Sequence, residues 1–416
     1  MCIYLKRLIK NNSVILENIS YLFILQILNL LLPFLTYPYL MKILGTALFG
    51  KVVFAQSIIS FFTIVINFGF NISATKNVSL NKDNKVVLSE IISSVFIIKF
   101  FLWLFMFTLL VALIYFVPFF SQNKLLFILV FGASFNELFF TQWYFQAIEK
   151  MKYITYINFG TRIIYVIFIL SFINSPDEYL LWPLINMICF LLAGIYCLYF
   201  IFKKKLILFR FQRINTLSYY AKDSMSFFLS SGFVLIKEQT NSILIGAFLG
   251  YNEVAYYDFV NKVVNLLKQP FLIIRDAFFP SLVQQSNFRK LNKISSICLV
   301  ISIIMYFSLL LFSDRLAYLV GKEKLLPSVY LFKYMGVNIT LTVLSVFSGM
   351  ILIIKEKMKL FRNSIIISTI LYLLFLTSLY FFDLIDLNSL VIAYVLSLFI
   401  EVLIRFWYPF NNKFFS

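Results

Sequence analysis

The side chains with the greatest chemical potential in this sequence are charged groups that lie inside long apolar runs. At the centre of a bilayer each costs at least about 2.5–3.5 kcal/mol unless it faces a partner or water. Most of these side chains must therefore point into the interior of a helix bundle. The set comprises the basic residues Lys99, Arg162, Lys237, Lys262, Lys268, Arg275, Lys333 and Arg405 and the acidic residues Glu137, Glu238, Asp258, Asp276 and Glu401. Within it, Glu401 and Arg405 form an i, i+4 pair, for which we expect a structural role.

The densest group of polar residues occupies two neighbouring segments. In the first segment, Lys237 and Asn241 are one helical turn apart and share a face. In the second, a polar stripe recurs at helical spacing and ends before Pro270, which predicts a broken or kinked helix. Such a stripe is typical of the wall of a movable, water-filled cavity. The alternative is a set of ion pairs, such as Asp258 with Lys262, that only fix helix packing. The stripe consists of Asp258, Asn261, Lys262, Asn265 and Lys268.

Several catalytic chemistries are excluded by residue type. The sequence contains no histidine, so it has neither a Ser-His-Asp triad nor a histidine-ligated metal. Gly50-Lys51 and Gly321-Lys322 lack the upstream glycine and the following hydroxyl residue of a phosphate-binding loop. The four cysteines show no metal-ligand spacing. These observations favour transport over catalysis, and no cofactor is expected.

The elements that must position these side chains are membrane-spanning helices. Hydrophobic residues make up 62% of the chain and charged residues 13%, against about 45–50% and about 25% in soluble domains. A span needs about 20 apolar residues, so the length accommodates about twelve helices. We predict an all-α integral membrane protein with spans at 16–41, 47–70, 88–117, 122–148, 154–174, 179–202, 223–248, 253–283, 293–313, 325–354, 360–382 and 386–410.

The basic residues indicate the orientation of the chain. A net charge of +18 would suggest nucleic acid as the partner of a soluble protein. Here most basic residues fall in alternate short loops, for example at Lys203–Lys205 and between Lys355 and Lys359. This pattern marks the cytoplasmic side of a membrane protein. It predicts that both termini are cytoplasmic and that no nucleic acid is bound.

The sequence predicts that the chain consists of two halves. The longest polar stretch, 202–222, lies at its midpoint and predicts a six-helix lobe over 1–208 and a second over 209–416. The sequence LGTALFG at 44–50 is echoed by LGYNEVA at 249–255, and the register continues to pair Gln56 with Asn261. We therefore predict parallel repeats related by an axis along the membrane normal.

Three segments resemble one transporter family. The segment QWYFQAIEKMKYIT at 142–155 and the segment NFGFNISATK at 67–76 are similar to stretches typical of Wzx-type O-antigen and polysaccharide flippases. The third, VAYY at 254–257 leading to Phe279-Pro280, also occurs across the wider superfamily that includes multidrug and toxic compound exporters. The similarity runs from about residue 15 to the end of the chain.

This resemblance implies two six-helix bundles in a MATE-like, V-shaped architecture. It implies a flippase of the bacterial inner membrane that moves an undecaprenyl-diphosphate-linked oligosaccharide, such as an O-antigen repeat unit, from the cytoplasmic to the periplasmic leaflet by alternating access. Partners would be this lipid-linked glycan, the bilayer and the polysaccharide polymerase or chain-length machinery. The implied diphosphate ligands are Arg162, Lys237, Lys262 and Lys268. The polar cavity or ion-coupling residues are Glu238, Asp258, Asn241, Asn261, Asn265 and Gln56.

Export of an anion is favoured by a membrane potential that is negative inside, by about 2.3 kcal/mol per charge per 100 mV. Coupling to H⁺ or Na⁺ would use a carboxylate such as Glu238 or Asp258. The rival functions are a cation-coupled multidrug antiporter of the same fold, which would need a more acidic cavity, a membrane polysaccharide polymerase or glycosyltransferase, and a non-catalytic assembly scaffold. A polymerase is disfavoured because the longest predicted outer loop, 313–324, is short.

Overall fold

A computed structural model describes the backbone of residues 2–204, 207–285, 288–355 and 357–411, and the side chains of residues 21, 35–203, 207–275, 291–355 and 357–407. The regular structure of these residues is helical, without strands. Asp276 and the Phe279-Pro280 motif lie outside the described side chains.

The helices follow one another with short connections. The first ones, up to the middle of the chain, are α1 (Cys2–Asn67), α2 (Phe70–Leu80), α3 (Lys85–Phe116), α4 (Pro118–Gln122), α5 (Lys124–Phe131), α6 (Phe135–Phe139), α7 (Gln142–Ala147), α8 (Met151–Phe172) and α9 (Leu181–Tyr199). The later ones are α10 (Ile214–Phe248), α11 (Tyr251–Gln285), α12 (Phe288–Gly321), α13 (Leu331–Met335), α14 (Val337–Ile354), α15 (Met358–Phe381) and α16 (Leu387–Asn411).

The described residues contain nine stretches that are long and apolar enough to cross a membrane. Helices α10 and α11 have 35 residues each, which corresponds to roughly 50 Å at 1.5 Å per residue, but they carry the charged residues singled out above. The first predicted span falls in the part of α1 whose side chains are mostly outside the description. The chain is thus an all-α multi-pass membrane protein, as predicted.

The structure differs from the sequence-based predictions at three places. Helix α11 continues through Pro270 to Gln285, so a break does not occur there, while a kink at Pro270 stays a prediction. The predicted outer loop at 313–324 is helical, because α12 extends to Gly321 and a 3₁₀ segment follows at Lys322–Ser328. The predicted span 122–148 is confirmed as a stretch apolar enough to cross a membrane, Lys124–Ala147, but it is divided into α5, a 3₁₀ turn at Gly132–Ser134, α6 and α7.

The chain divides into two compact units. The first consists of Met1–Leu44 and Ala55–Gly232, and the second of Gly45–Phe54 and Phe233–Ser416. Continuous helices cross these boundaries, in α1 and in α10. The lobe boundary that the sequence predicts between residues 208 and 209 stays a prediction.

The first unit is built around the two segments that carry the family resemblance. Trp143, Tyr144 and Phe145 of α7 are almost fully buried, and they join Phe70 and Ala74 of α2 in one hydrophobic cluster. The adjoining helix α3 begins at a capped end, since the Asn84 side chain accepts hydrogen bonds from the backbone N–H groups of residues 86 and 87 at 3.1 and 3.2 Å. The resemblance therefore falls on a packing core.

The second unit contains the point where α1 turns. Gly45 adopts φ 72° and ψ 174°, which interrupts the helical geometry, and this positive φ favours glycine. The Thr46 hydroxyl donates to Asn252 Oδ1 at 2.6 Å, and Gly50 lies directly against the Tyr251 carbonyl group. The two turns that the sequence identifies as a repeat therefore pack on each other.

A pair of glycine substitutions tests this close approach. A Cβ atom at Gly50 would overlap the Tyr251 carbonyl group, whereas one at Gly160 in α8 would meet no heavy atom within 4 Å. We expect Gly50→Ala to lower the thermal unfolding temperature by several degrees. Gly160→Ala should leave that temperature unchanged or raise it, because alanine favours a helix by up to about 1 kcal/mol over glycine. Equal unfolding temperatures for Gly50→Ala and the parent protein in detergent would contradict the packing.

Candidate functional site

The polar stripe on α11 is present in the second unit. Lys262 Nζ donates to Asp258 Oδ2 at 3.1 Å across one helical turn. The Lys262 side chain is 37% exposed and that of Asp258 is 13% exposed. Asn265 Nδ2 donates to Asn261 Oδ1 at 3.3 Å. The stripe is thus a connected set of polar groups that retains access to the surface of the unit.

Lys268 lies at the end of this stripe and differs from Lys262 in its surroundings. It is buried, with 8% of its surface exposed, and Nζ donates to Asn265 Oδ1 at 3.4 Å. No carboxylate oxygen of the described residues comes within 4.0 Å of this nitrogen. Glu238 on α10 attracts it electrostatically from farther away. Among the described residues, Lys268 is therefore a buried cation without a contact ion pair.

Lys237 has a different environment, because it belongs to a buried ionic network. Its ammonium group donates to the Glu401 carboxylate and to Ser368 Oγ. Arg405 Nη2 lies 2.7 Å from the other oxygen of Glu401. All three charged residues are at most 6% exposed. Two cations share one carboxylate, so the network keeps a net positive charge.

Serine hydroxyl groups and an aromatic ring complete this network. Ser345 Oγ donates to Glu401 Oε1 at 3.2 Å, and Arg405 Nε donates to Ser364 Oγ at 2.9 Å. The Arg405 guanidinium carbon lies 4.4 Å from the centre of the Phe361 ring. The network therefore joins α10, α14, α15 and α16.

Asn241, one turn after Lys237, is also committed to protein partners. Its Oδ1 accepts a hydrogen bond from the Tyr372 hydroxyl, and its Nδ2 donates to the Leu390 carbonyl at 3.2 Å. The side chain is completely buried. Asn241 thus joins α10 to α15 and α16 in the core of the second unit. Glu238, between the two residues, is exposed.

The first unit contains the two remaining predicted site residues, Gln56 and Arg162. Gln56 lines a cavity of about 240 Å³ that is shared with Asn186 of α9. Arg162 on α8 is half-buried, and its guanidinium carbon lies 5.8 Å from the centre of the Phe190 ring. Within the described side chains, no carboxylate comes within 4.0 Å of Arg162. Its charge is therefore held against an aromatic ring instead of an acid.

Another intramembrane charge in the first unit has a structural environment. Lys99 is 2% exposed and donates to the backbone carbonyl of Glu137 at 2.9 Å. The Glu137 carboxylate accepts a hydrogen bond from Asn67 Nδ2 at 2.6 Å. This cluster connects α3, α6 and the end of α1.

Sequence reasoning identified the i, i+4 pair of Glu401 and Arg405 but not its connection to Lys237. Lys237 and Glu401 are 164 residues apart in the sequence, so no local spacing predicts their ion pair. Asn186 was also missed, because a single amide in an apolar segment has no distinctive pattern.

Sequence comparisons relate this chain to a polysaccharide biosynthesis family and to proteins named as transporters. A family model described as "Polysaccharide biosynthesis protein" matches residues 15–286. A relative from Escherichia coli (strain K12) is 25% identical over 68% of this chain and 68% of its own length. One from Shigella dysenteriae is 24% identical over 86% of this chain and 91% of its own length. Both relatives carry the name "Putative O-antigen transporter".

Solved structures of similar fold come from two kinds of transporter. An inward-facing multidrug resistance MATE family transporter of the MOP superfamily aligns with a TM-score of 0.69 at 14% identity, covering 92% of this chain and 94% of that chain. The lipid II flippase MurJ, in an inward closed conformation, aligns with a TM-score of 0.72 at 12% identity, covering 95% and 87%. The predicted MATE-like fold class is confirmed.

Proposed function

The chain belongs to the polysaccharide biosynthesis protein family, and from this premise we propose that it is a lipid-linked oligosaccharide flippase. The substrate is an undecaprenyl-diphosphate-linked repeat unit, such as that of an O-antigen. The direction is from the cytoplasmic to the periplasmic leaflet of the bacterial inner membrane, and both termini are cytoplasmic. The names of the two curated relatives and of the flippase with a similar fold support this proposal.

The observation that carries the proposal is the environment of Lys268. A buried ammonium group in a membrane protein is costly unless an anion or water compensates its charge. Lys268 has one long hydrogen bond to an amide and no carboxylate in contact within the described chain. A diphosphate would supply the missing negative charge through a charge-assisted hydrogen bond. Lys262, which is accessible on the same helix, would be a second ligand.

The other predicted cations contribute unequally to this proposal. Arg162 lacks a contact acid in the described part of the first unit and presents a guanidinium group, whose geometry suits phosphate. Lys237 is paired with Glu401, so binding of the diphosphate there would require that pair to open. We therefore assign the diphosphate mainly to Lys262, Lys268 and Arg162, with Lys237 as a ligand in another conformation.

The transport cycle follows from the chemistry of the substrate. A diphosphate with attached sugars cannot enter hydrocarbon, whereas its polyprenyl tail can remain in the bilayer. Polar groups such as Asn261 and Asn265 provide a path for the head group, and alternating access exposes that path to one leaflet at a time. The membrane potential favours outward movement of the anion. Glu238, which is exposed, and Asp258 are the residues for coupling to H⁺ or Na⁺, and no cofactor is required.

A cation-coupled multidrug antiporter is the alternative function that the MATE-like fold also supports. The charges of the α11 stripe favour the flippase, since its two lysines outnumber its one aspartate. A cationic drug would be repelled by Lys268, whereas an anionic lipid head would be attracted. Drug resistance that depends on this chain, without any change in surface glycan, would favour the antiporter.

Deletion of the gene followed by complementation tests the proposed function. We expect the deletion strain to lose surface glycan and to accumulate the lipid-linked precursor in the cytoplasmic leaflet. The wild-type gene should restore both. The measurements are the amount of surface glycan and the sidedness of the precursor in intact and inverted membrane vesicles. Normal sidedness in the deletion strain, with no other transporter of this family expressed, would contradict the assignment.

A further inference from the structure

The first unit contains a cavity of about 240 Å³ whose polar lining is neutral. It lies among α1, α5, the 3₁₀ turn at Gly132–Ser134, and α9. Its polar walls are formed by Gln56, Ser60, Thr63 and Asn186, and its apolar walls include Val130 and Pro183. At about 30 Å³ per water molecule, it has room for roughly eight waters. This is a volume suited to one small polar ring.

The amide groups that face the cavity have unused hydrogen-bonding capacity. Gln56 and Asn186 are both partly accessible, and neither side chain makes a hydrogen bond to a described residue. Ser60 Oγ donates to the Ser57 carbonyl at 2.6 Å, and Thr63 Oγ1 donates to the Ser60 carbonyl at 2.8 Å. The two hydroxyl oxygens can therefore still accept hydrogen bonds. The cavity offers amide donors on two sides and acceptors on all of its polar walls.

This mixture of groups fits a carbohydrate better than an ion. None of the described residues that line the cavity is charged, so a monovalent cation would meet no carboxylate among them. A sugar ring presents hydroxyl groups that both donate and accept, and its C–H faces can pack on apolar walls such as Val130 and Pro183. An amide suits such hydroxyl groups because it has both donors and an acceptor.

The cation Arg162 of α8 contacts α9 one helical turn from the cavity residue Asn186. Asn186 and Phe190 are one helical turn apart and share a face of α9. The Arg162 guanidinium group lies against the Phe190 ring, 5.8 Å from its centre. A ligand with an anionic group at Arg162 could therefore place its next chemical group beside Asn186.

We propose that this cavity is a subsite for a sugar of the glycan, the one attached directly to the diphosphate, with Gln56 and Asn186 as its hydrogen-bonding residues and Arg162 beside it for the phosphate. The assignment rests on the proposed function. It assigns recognition of the sugar to this cavity of the first unit.

Binding of two lipids to the purified protein in detergent tests the subsite. The probes are undecaprenyl diphosphate without sugar and the same lipid with one N-acetylated hexose. We expect the wild-type protein to bind the glycosylated lipid about tenfold more tightly, the equivalent of one or two net hydrogen bonds. Gln56→Leu and Asn186→Leu should each remove most of this preference while leaving the affinity for the bare lipid within about twofold.

The control is Gln146→Leu, which replaces an exposed glutamine of α7 outside the cavity and should leave the preference intact. Should a leucine variant unfold early, Gln56→Ala and Asn186→Ser remove the same amide without adding apolar bulk. Equal binding of both lipids by the wild-type protein, or a preference that survives both amide variants, would overturn the subsite and leave the flippase proposal standing. Absence of binding of either lipid by the wild-type protein would overturn both.

Discussion

Charge reversal at Lys268 is expected to abolish export of the lipid-linked precursor. Lys268→Glu replaces a buried cation that has no contact ion pair within the described part of the chain with an anion that faces the incoming diphosphate. At a separation of 4 Å, the interaction energy of two like unit charges differs from that of two opposite ones by several kcal/mol, even at an effective dielectric constant of about 20. We therefore expect a loss of more than about 100-fold in export. The measurement is rescue of surface glycan in a deletion strain, with the amount of membrane-inserted protein determined in parallel.

Two further variants separate this effect from a general effect of charge. Lys268→Arg keeps the cation and should retain a large part of the rescue. Lys359→Glu reverses the charge of an exposed lysine at the start of α15 and should rescue like the wild-type protein. Full rescue by Lys268→Glu, at normal protein levels, would show that this cation does not hold the substrate. Lys262→Glu is expected to behave like Lys268→Glu, although its pair with Asp258 makes it the less decisive position.

Glu401→Gln is expected to cause the largest loss of stability. Glu401 is the carboxylate shared by Lys237 and Arg405, and all three side chains are buried. Removing its charge leaves two cations without a counter-charge in the network, and breaking a buried ion pair typically costs about 3–5 kcal/mol. The thermal unfolding temperature in detergent should fall by roughly 5 °C. Tryptophan fluorescence during heating measures this change.

The matched variant is Lys237→Met, which removes one cation of the same network. Glu401 would keep its pair with Arg405, so a neutral pair remains and the loss of stability should be much smaller. An unfolding temperature that falls more in Lys237→Met than in Glu401→Gln would contradict the assigned network. It would also leave Lys237 open for a role as a diphosphate ligand in the described conformation.

The fold class was accessible from the sequence because a membrane leaves few choices. Backbone polar groups in hydrocarbon must form their hydrogen bonds within a helix or a closed barrel. Apolar runs of 20 or more residues indicate the helix. The predicted span 88–117 nearly coincides with α3, which begins at Lys85 after the Asn84 cap. The break within 122–148 was not accessible from the sequence, because Gly132 lies against the Met187 side chain, a tertiary contact that local spacing does not encode.

From the sequence, the candidate site could be predicted only as a set of residues whose burial in a membrane costs free energy. Burial cost singled out the cations and carboxylates, but it did not say which would pair. The i, i+4 rule identified Asp258 with Lys262 and Glu401 with Arg405 because helical geometry places such residues together. It could not place Lys237 beside Glu401, which is 164 residues away, nor Gln56 beside Asn186. The repeated turns at 44–50 and 249–255 were recognised as similar, and their mutual packing followed only from the structure.

Reconstitution into vesicles tests the central claim most directly. The purified protein is inserted into liposomes that contain undecaprenyl-diphosphate-linked oligosaccharide, and a membrane-impermeant glycan-modifying enzyme reports the fraction of precursor in the outer leaflet. We expect the protein to equilibrate the precursor between leaflets, and an applied membrane potential or a gradient of H⁺ or Na⁺ to shift the rate or the final distribution. Movement no faster than in protein-free liposomes, or indifferent to the potential and to both ion gradients, would contradict the account.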